Sequence, residues 1–200
     1  MKAAWICLVA TLSACSPPSN EAPPAPEKRT AETVAERPSR AREPVQRVRV
    51  ETPLILASDG LLLADPAGKL QLLPFGTPRI KAESAVGVIV GTPMTRGSSD
   101  ECSAGIVDYT ELRGGLQMTF QDDKFVGWTI NGAASPFKTA KGIGIGSPRQ
   151  SLDAGYGDAT AEESSLGLLF SGGGFVGILD QEGIEGIVTD IWAGTVCLID

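Results

Sequence analysis

The chain contains no histidine. That absence removes Ser-His-Asp and Cys-His nucleophilic sites, because both need an imidazole to take the proton from the nucleophile. It also deprives a zinc site of its usual nitrogen ligands, so no metal centre is expected. The N-terminal apolar run, Ala3 to Leu12, covers only about half of a bilayer core, which excludes a transmembrane helix there. Basic charge is scarce where a fold is expected. From Glu51 onward there are 9 Lys and Arg against 19 Asp and Glu, a net of −10 within a chain total of −7. An acidic domain repels phosphate backbones, and nucleic acid is not expected as a partner.

What is present begins with an address. Met1-Lys2 is a short positive segment, Ala3 to Leu12 is apolar, and Leu12-Ser13-Ala14-Cys15 places small residues before a cysteine. This arrangement resembles a bacterial lipoprotein signal. The resemblance implies cleavage before Cys15, acylation of its thiol and amino group, and a membrane as partner through that lipid. An ordinary secretory signal with an incidental cysteine is the alternative. Ser16, where many retained lipoproteins carry aspartate, implies the periplasmic face of the outer membrane. From Ser16 to Gln46 the chain has seven prolines and almost no large apolar side chain, so it cannot bury enough surface to offset its ordering entropy. The expected division is signal 1–14, lipidated cysteine and tether 15–47, and globular domain 48–200.

Cys7 leaves with the signal and Cys15 takes the lipid. The remaining pair, Cys102 and Cys197, would meet an oxidising compartment, where a disulfide is expected. Free thiols or half of a metal site are the other readings.

The domain opens with β signals. Val48-Arg49-Val50 alternates, Leu54-Ile55-Leu56 and Leu61-Leu62-Leu63 flank Ser58-Asp59-Gly60, and Leu70 to Leu73 follows the turn Asp65-Pro66-Ala67-Gly68. Thr77 as N-cap and Pro78 as first helical residue predict a helix to about Val86, with Gly91-Thr92-Pro93 as its stop. The same grammar recurs. Phe75-Gly76-Thr77-Pro78-Arg79 matches Ile145-Gly146-Ser147-Pro148-Arg149, and LQMTFQDDKFVG (116–127) matches LGLLFSGGGFVG (166–177). The expected turns are Asp122-Asp123 and Gly172-Gly173. A duplicated helix-then-sheet unit accounts for both matches, with unit one at about 69–140 and unit two at about 141–200. Chance similarity among Gly-rich turns is the rival account. Ile184 to Trp192 and Thr195 to Ile199 read as two closing strands around Ala193-Gly194, with Cys197 on the last.

A glycine, a short helix, a Gly-x-Pro turn and a strand meander are similar to the SmpA/OmlA-like outer-membrane lipoproteins and to tandem β-lactamase-inhibitor-protein-like domains. Gly146 to Gly157 has the spacing but Asp158-Ala159 in place of the proline, whereas Gly76 to Gly91-Thr92-Pro93 has the proline over a longer interval. The resemblance implies an α+β fold whose curved sheet meets another protein without catalysis. The expected architecture is therefore α+β, two related helix-plus-antiparallel-sheet units packed as one domain behind an N-terminal hairpin.

Other motifs lose their chemistry in context. Gly172 to Gly177 fits GxGxxG as a string, but an apolar strand follows where a helix N-terminus must meet the pyrophosphate, so neither nucleotide nor other cofactor is expected. Ser135-Pro136-Phe137-Lys138 reads as a loop. Asp122-Asp123 and Glu162-Glu163, the acid pairs a glycan hydrolase would use, read as solvated turns. Four residues are candidate partner contacts: Arg79 and Arg149 hold matched positions, and Trp128 and Trp192 end or follow strands, although core packing suits the tryptophans better. The expected function is a lipid-anchored protein-binding or scaffold module acting on an unidentified envelope protein. A carboxylate-dependent hydrolase and an inhibitor or ligand-sequestering module are the alternatives.

Overall fold

Short apolar runs separated by turns make the first strands. In a computed structural model, which describes residues 53–132, 135–157 and 159–197, β1 (Leu54–Ala57) and β2 (Gly60–Ala64) pair across Ser58-Asp59, and β3 (Leu70–Pro74) pairs with β2. Asp65 shapes the second turn by accepting from the backbone N–H groups of Ala67 and Lys69, both at 2.9 Å. The lipobox, Cys15, the tether and Val48-Arg49-Val50 lie outside the described residues, as do Asp158 and 198–200.

Helix α1 (Arg79–Val90) starts one residue later than expected, because Pro78 keeps an extended ψ of 137°. Thr77 does not cap it; its hydroxyl donates to the Pro74 carbonyl at 2.7 Å. The helix also outruns Val86, ending where Gly91 takes φ 101°. Then come β4 (Thr95–Ser99), β5 (Val107–Glu111), β6 (Leu116–Gln121) and β7 (Lys124–Ile130). A short β8 (Lys138–Thr139) leads to helix α2 (Arg149–Tyr156), followed by β9 (Thr160–Ser164), β10 (Gly167–Gly172), β11 (Phe175–Leu179) and β12 (Val188–Gly194).

These elements form an α+β fold with two sheets. The smaller has the order β3-β2-β1-β8, with β8 parallel to β1; the larger is antiparallel, β4-β5-β6-β7-β12-β11-β10-β9. Each helix is thus followed by four antiparallel strands, and the last strands of the two sets, β7 and β12, pair at the centre. Both helix lead-ins dock alike. Gly76 N–H donates to Phe125 O and Arg79 N–H to Asp123 O, while Gly146 N–H donates to Val188 O and Arg149 N–H to Gly186 O.

Three expectations are corrected. The closing segment is one strand, not two: Ala193 and Gly194 lie inside β12, paired with Trp128 and Gly127. Cys197 is accordingly on no strand. Glu162-Glu163 lies within β9, not in a turn, so the two side chains point to opposite faces and cannot flank one bond. Finally, the matched hairpins take different places: β6–β7 reaches the sheet centre, whereas β10–β11 sits one strand farther out. Their turns agree in kind, with positive φ at Asp122-Asp123 and at Gly173-Gly174, one residue beyond the expected second turn.

The core lies on one face of the large sheet. The cross-strand row Leu116, Ile130, Ile191, Gly177 and Phe170 runs along it, and Ala82, Val86, Leu152, Leu54 and Leu56 join the same buried cluster from the helices and the small sheet. Trp128 ties the sheets together. Fully enclosed, it donates its indole N–H to the Ala57 and Gly60 carbonyls, at 3.0 and 2.9 Å.

Candidate functional site: the open face of the large sheet

Strand alternation sends every second side chain away from that core. The row Thr95, Glu111, Gln117, Thr129, Trp192, Val176, Ser171 and Thr160 crosses all eight strands on the opposite face. No described helix packs on this row. The segment after β12 partly covers it: Thr195 N–H donates to Val126 O at 2.8 Å, and a Cβ at Gly127 would collide with the Thr195 carbonyl oxygen. Cys197 and Cys102 then meet at disulfide distance, Cα atoms 5.5 Å apart, so the chain end is held over the face by the β4–β5 loop.

Three depressions converge on Gln117. One of about 270 Å³ runs past Met94, Glu111 and Asn131; one of about 150 Å³ is bounded by Val107, Tyr109 and Cys197; one of about 280 Å³ by Thr129, Asn131, Asp190, Trp192 and Cys197. Tyr109 can lie down there because β4 offers Gly97 beneath its ring. Thr129 is 3% exposed and its hydroxyl has no hydrogen-bond partner among the described residues. Buried hydroxyls are almost always paired, so this one is an unfilled demand.

The residues singled out from sequence divide between the faces. Trp192, 7% exposed, lines the largest of these three depressions. Trp128 is sealed in the core and offers no surface to a partner. Arg79 bridges helix to sheet, with Nε 3.2 Å from Glu83, Nη1 2.8 Å from Asp108 and its guanidinium 4.8 Å from the Phe120 ring centre. Arg149 does the equivalent, donating to the Ala159 carbonyl at 2.8 Å with Nε 3.6 Å from Asp153. Both arginines thus serve the fold.

Among the described residues Glu83 is the most perturbed titratable group. Hydrogen bonding from Arg96 lowers its pKa to about 2, helped by the Thr110 hydroxyl and Arg79 and opposed by burial. A carboxylate so firmly ionised is a poor general acid near neutral pH. Among the described residues no group of three or more Cys, Asp or Glu side chains could hold a metal ion.

Reasoning from sequence did not single out Glu111, Gln117, Thr129, Asn131 or Asp190. The alternation in Leu116-Gln117-Met118-Thr119-Phe120-Gln121 was the available signal for Gln117, since it assigns Gln117, Thr119 and Gln121 to one face.

No family model and no curated protein matches this chain. Among solved structures it is similar to the uncharacterized protein yfeY from Escherichia coli, with 14% identity, a TM-score of 0.44, and coverage of 62% of this chain and 93% of that one.

Proposed function

We propose that this chain is an envelope lipoprotein, fastened through Cys15 to the periplasmic face of the outer membrane, whose globular domain binds another protein without catalysis. The observation that carries this reading is the large sheet with one face packed and the other, among the described residues, covered only in part by the segment after β12. A sheet normally buries one face and solvates the other, yet this open face carries adjoining depressions, an aromatic residue and an unpaired hydroxyl, features of a recognition surface. We further propose that α1 with β4–β7 and α2 with β9–β12 are related units. The matched lead-ins and the central pairing of β7 with β12 support this, because two like units joined by their last strands place a pseudo-twofold axis between Thr129 and Trp192.

The test has two arms. A photoreactive residue at position 117, in living cells, should give a discrete protein adduct in the envelope, and the same residue at Lys69 in the exposed β2–β3 turn should not. Equal adducts from both positions, or none, overturn the binding reading. Cys15→Ala should leave the precursor uncleaved and release the protein from the membrane fraction; unchanged fractionation overturns the anchor.

A further inference from the structure

The open face has a chemical bias that points to a class of partner. Across it, Glu111 and Asp190 line depressions that share Gln117, and neither forms an ion pair among the described residues. Around these depressions no lysine or arginine stands at a cross-strand position: β4 contributes Thr95, Gly97 and Ser99, β5 Val107, Tyr109 and Glu111, β6 Gln117 and Thr119, and β7 Gly127 and Thr129; the one lysine of this face among the described strands, Lys124, lies opposite Gln121 at the far end of the β6–β7 hairpin, outside all three depressions. Beyond the centre, β12 adds Asp190, Trp192 and Gly194, and the outer strands add aliphatic, hydroxyl and acidic residues. Arg79 and Arg96, by contrast, are engaged by carboxylates on the packed side. Beside Asp190 sits the buried, unpartnered Thr129 hydroxyl, which can both donate and accept.

We infer that this face takes an extended peptide segment of a partner protein bearing lysine or arginine side chains. This rests on the protein-binding reading above and assigns its chemistry. An extended backbone presents alternating N–H and C=O groups, one of which satisfies Thr129, with Gln117 and Asn131 available to its neighbours. Its cationic side chains then reach Glu111 and Asp190, where complementary charge sets specificity and association rate.

The experiment uses the intact chain in detergent and fluorescein-labelled ten-residue peptides of alternating Lys-Thr, Gln-Thr and Glu-Thr, read by fluorescence anisotropy. The Lys-Thr peptide should bind at least tenfold tighter than the Gln-Thr peptide, with the Glu-Thr peptide weakest. The double variant Glu111→Gln, Asp190→Asn should lose about tenfold, and Glu182→Gln, an exposed acid of the β11–β12 loop, should lose nothing. Thr129→Val separates recognition from folding: it should weaken binding severalfold while leaving the urea midpoint unchanged or higher, because it removes an unsatisfied buried group. Equal affinity for the three peptides, with binding still abolished by Gln117→Trp, overturns the charge assignment and leaves the protein-binding face standing. Binding that survives Gln117→Trp overturns both. Displacement of the Lys-Thr peptide by an equal concentration of spermidine would assign the face to a free polyamine, and a tenfold gain on deleting 198–200 would assign it to the chain's own end; either result overturns the inference.

Discussion

Glu83 shows how one side chain can join a helix to a sheet. It accepts from Arg96, Thr110 and Arg79, the Thr110 contact at 2.6 Å. Its folded pKa of about 2 lies below the ordinary value of 4.5, so its contribution to stability is complete above about pH 4.5 and disappears as the pH falls towards 2. Glu83→Gln should therefore cost roughly 1–3 kcal/mol near neutrality, since it leaves two arginines and a buried hydroxyl with a weaker acceptor. Urea titrations should give the same difference from wild type at pH 7 and pH 5 and a smaller one at pH 3. None of this network could be read from the chain. Arg79 and Glu83 announce an i,i+4 pair, but Thr110 and Arg96 reach the same carboxylate only because α1 lies across β4 and β5.

At the level of elements, local chemistry was a good guide wherever a turn needed special residues. The Ser58-Asp59 hairpin, the Asp65 turn, the Asp122-Asp123 turn and the Gly91 helix stop follow from backbone requirements of two to four residues. It failed where pairing outweighed punctuation. Ala193-Gly194 has the composition of a turn, and Gly194 does take a positive φ of 77°, yet pairing with Trp128 and Gly127 on β7 keeps both residues in the strand. The hairpin match likewise followed a shared Phe-Val-Gly string and set side by side two hairpins with different positions in the sheet. Gly127 sits at the point where the chain end crosses the sheet. Gly127→Ala should push the Thr195 segment off the face and destabilise the fold by about 1–3 kcal/mol through overpacking. Lower urea midpoints and faster amide exchange at Thr195 would show this; exchange rates identical to wild type would refute it.

For the whole molecule, the Cys102–Cys197 link spans a sequence separation of 95 residues. A loop of that size is worth about 4–5 kcal/mol in chain entropy. Cys102→Ser with Cys197→Ser should lower the unfolding free energy by an amount approaching that figure while leaving the circular dichroism native, and an unchanged urea midpoint would show that the link does not constrain the chain. The pairing itself was legible from the expectation of an oxidising compartment, where two remaining cysteines are expected to join. The α+β class was what the resemblance to SmpA/OmlA-like lipoproteins implied, and apolar runs set off by turn and helix-capping residues agreed with it.

What the linear order of residues carried on its own was local: which stretches extend or coil, where they turn, and which cysteines remain to pair. The bare sheet face, its three depressions and the unpaired Thr129 hydroxyl arise from strands far apart in the chain, β6 and β7 from one half and β12 from the other. Their register comes from long-range hydrogen bonding and from burial of the opposite face. One-sided burial leaves an alternation that a short window can show, as at 116–121, but which strands become neighbours is written in no short window of sequence.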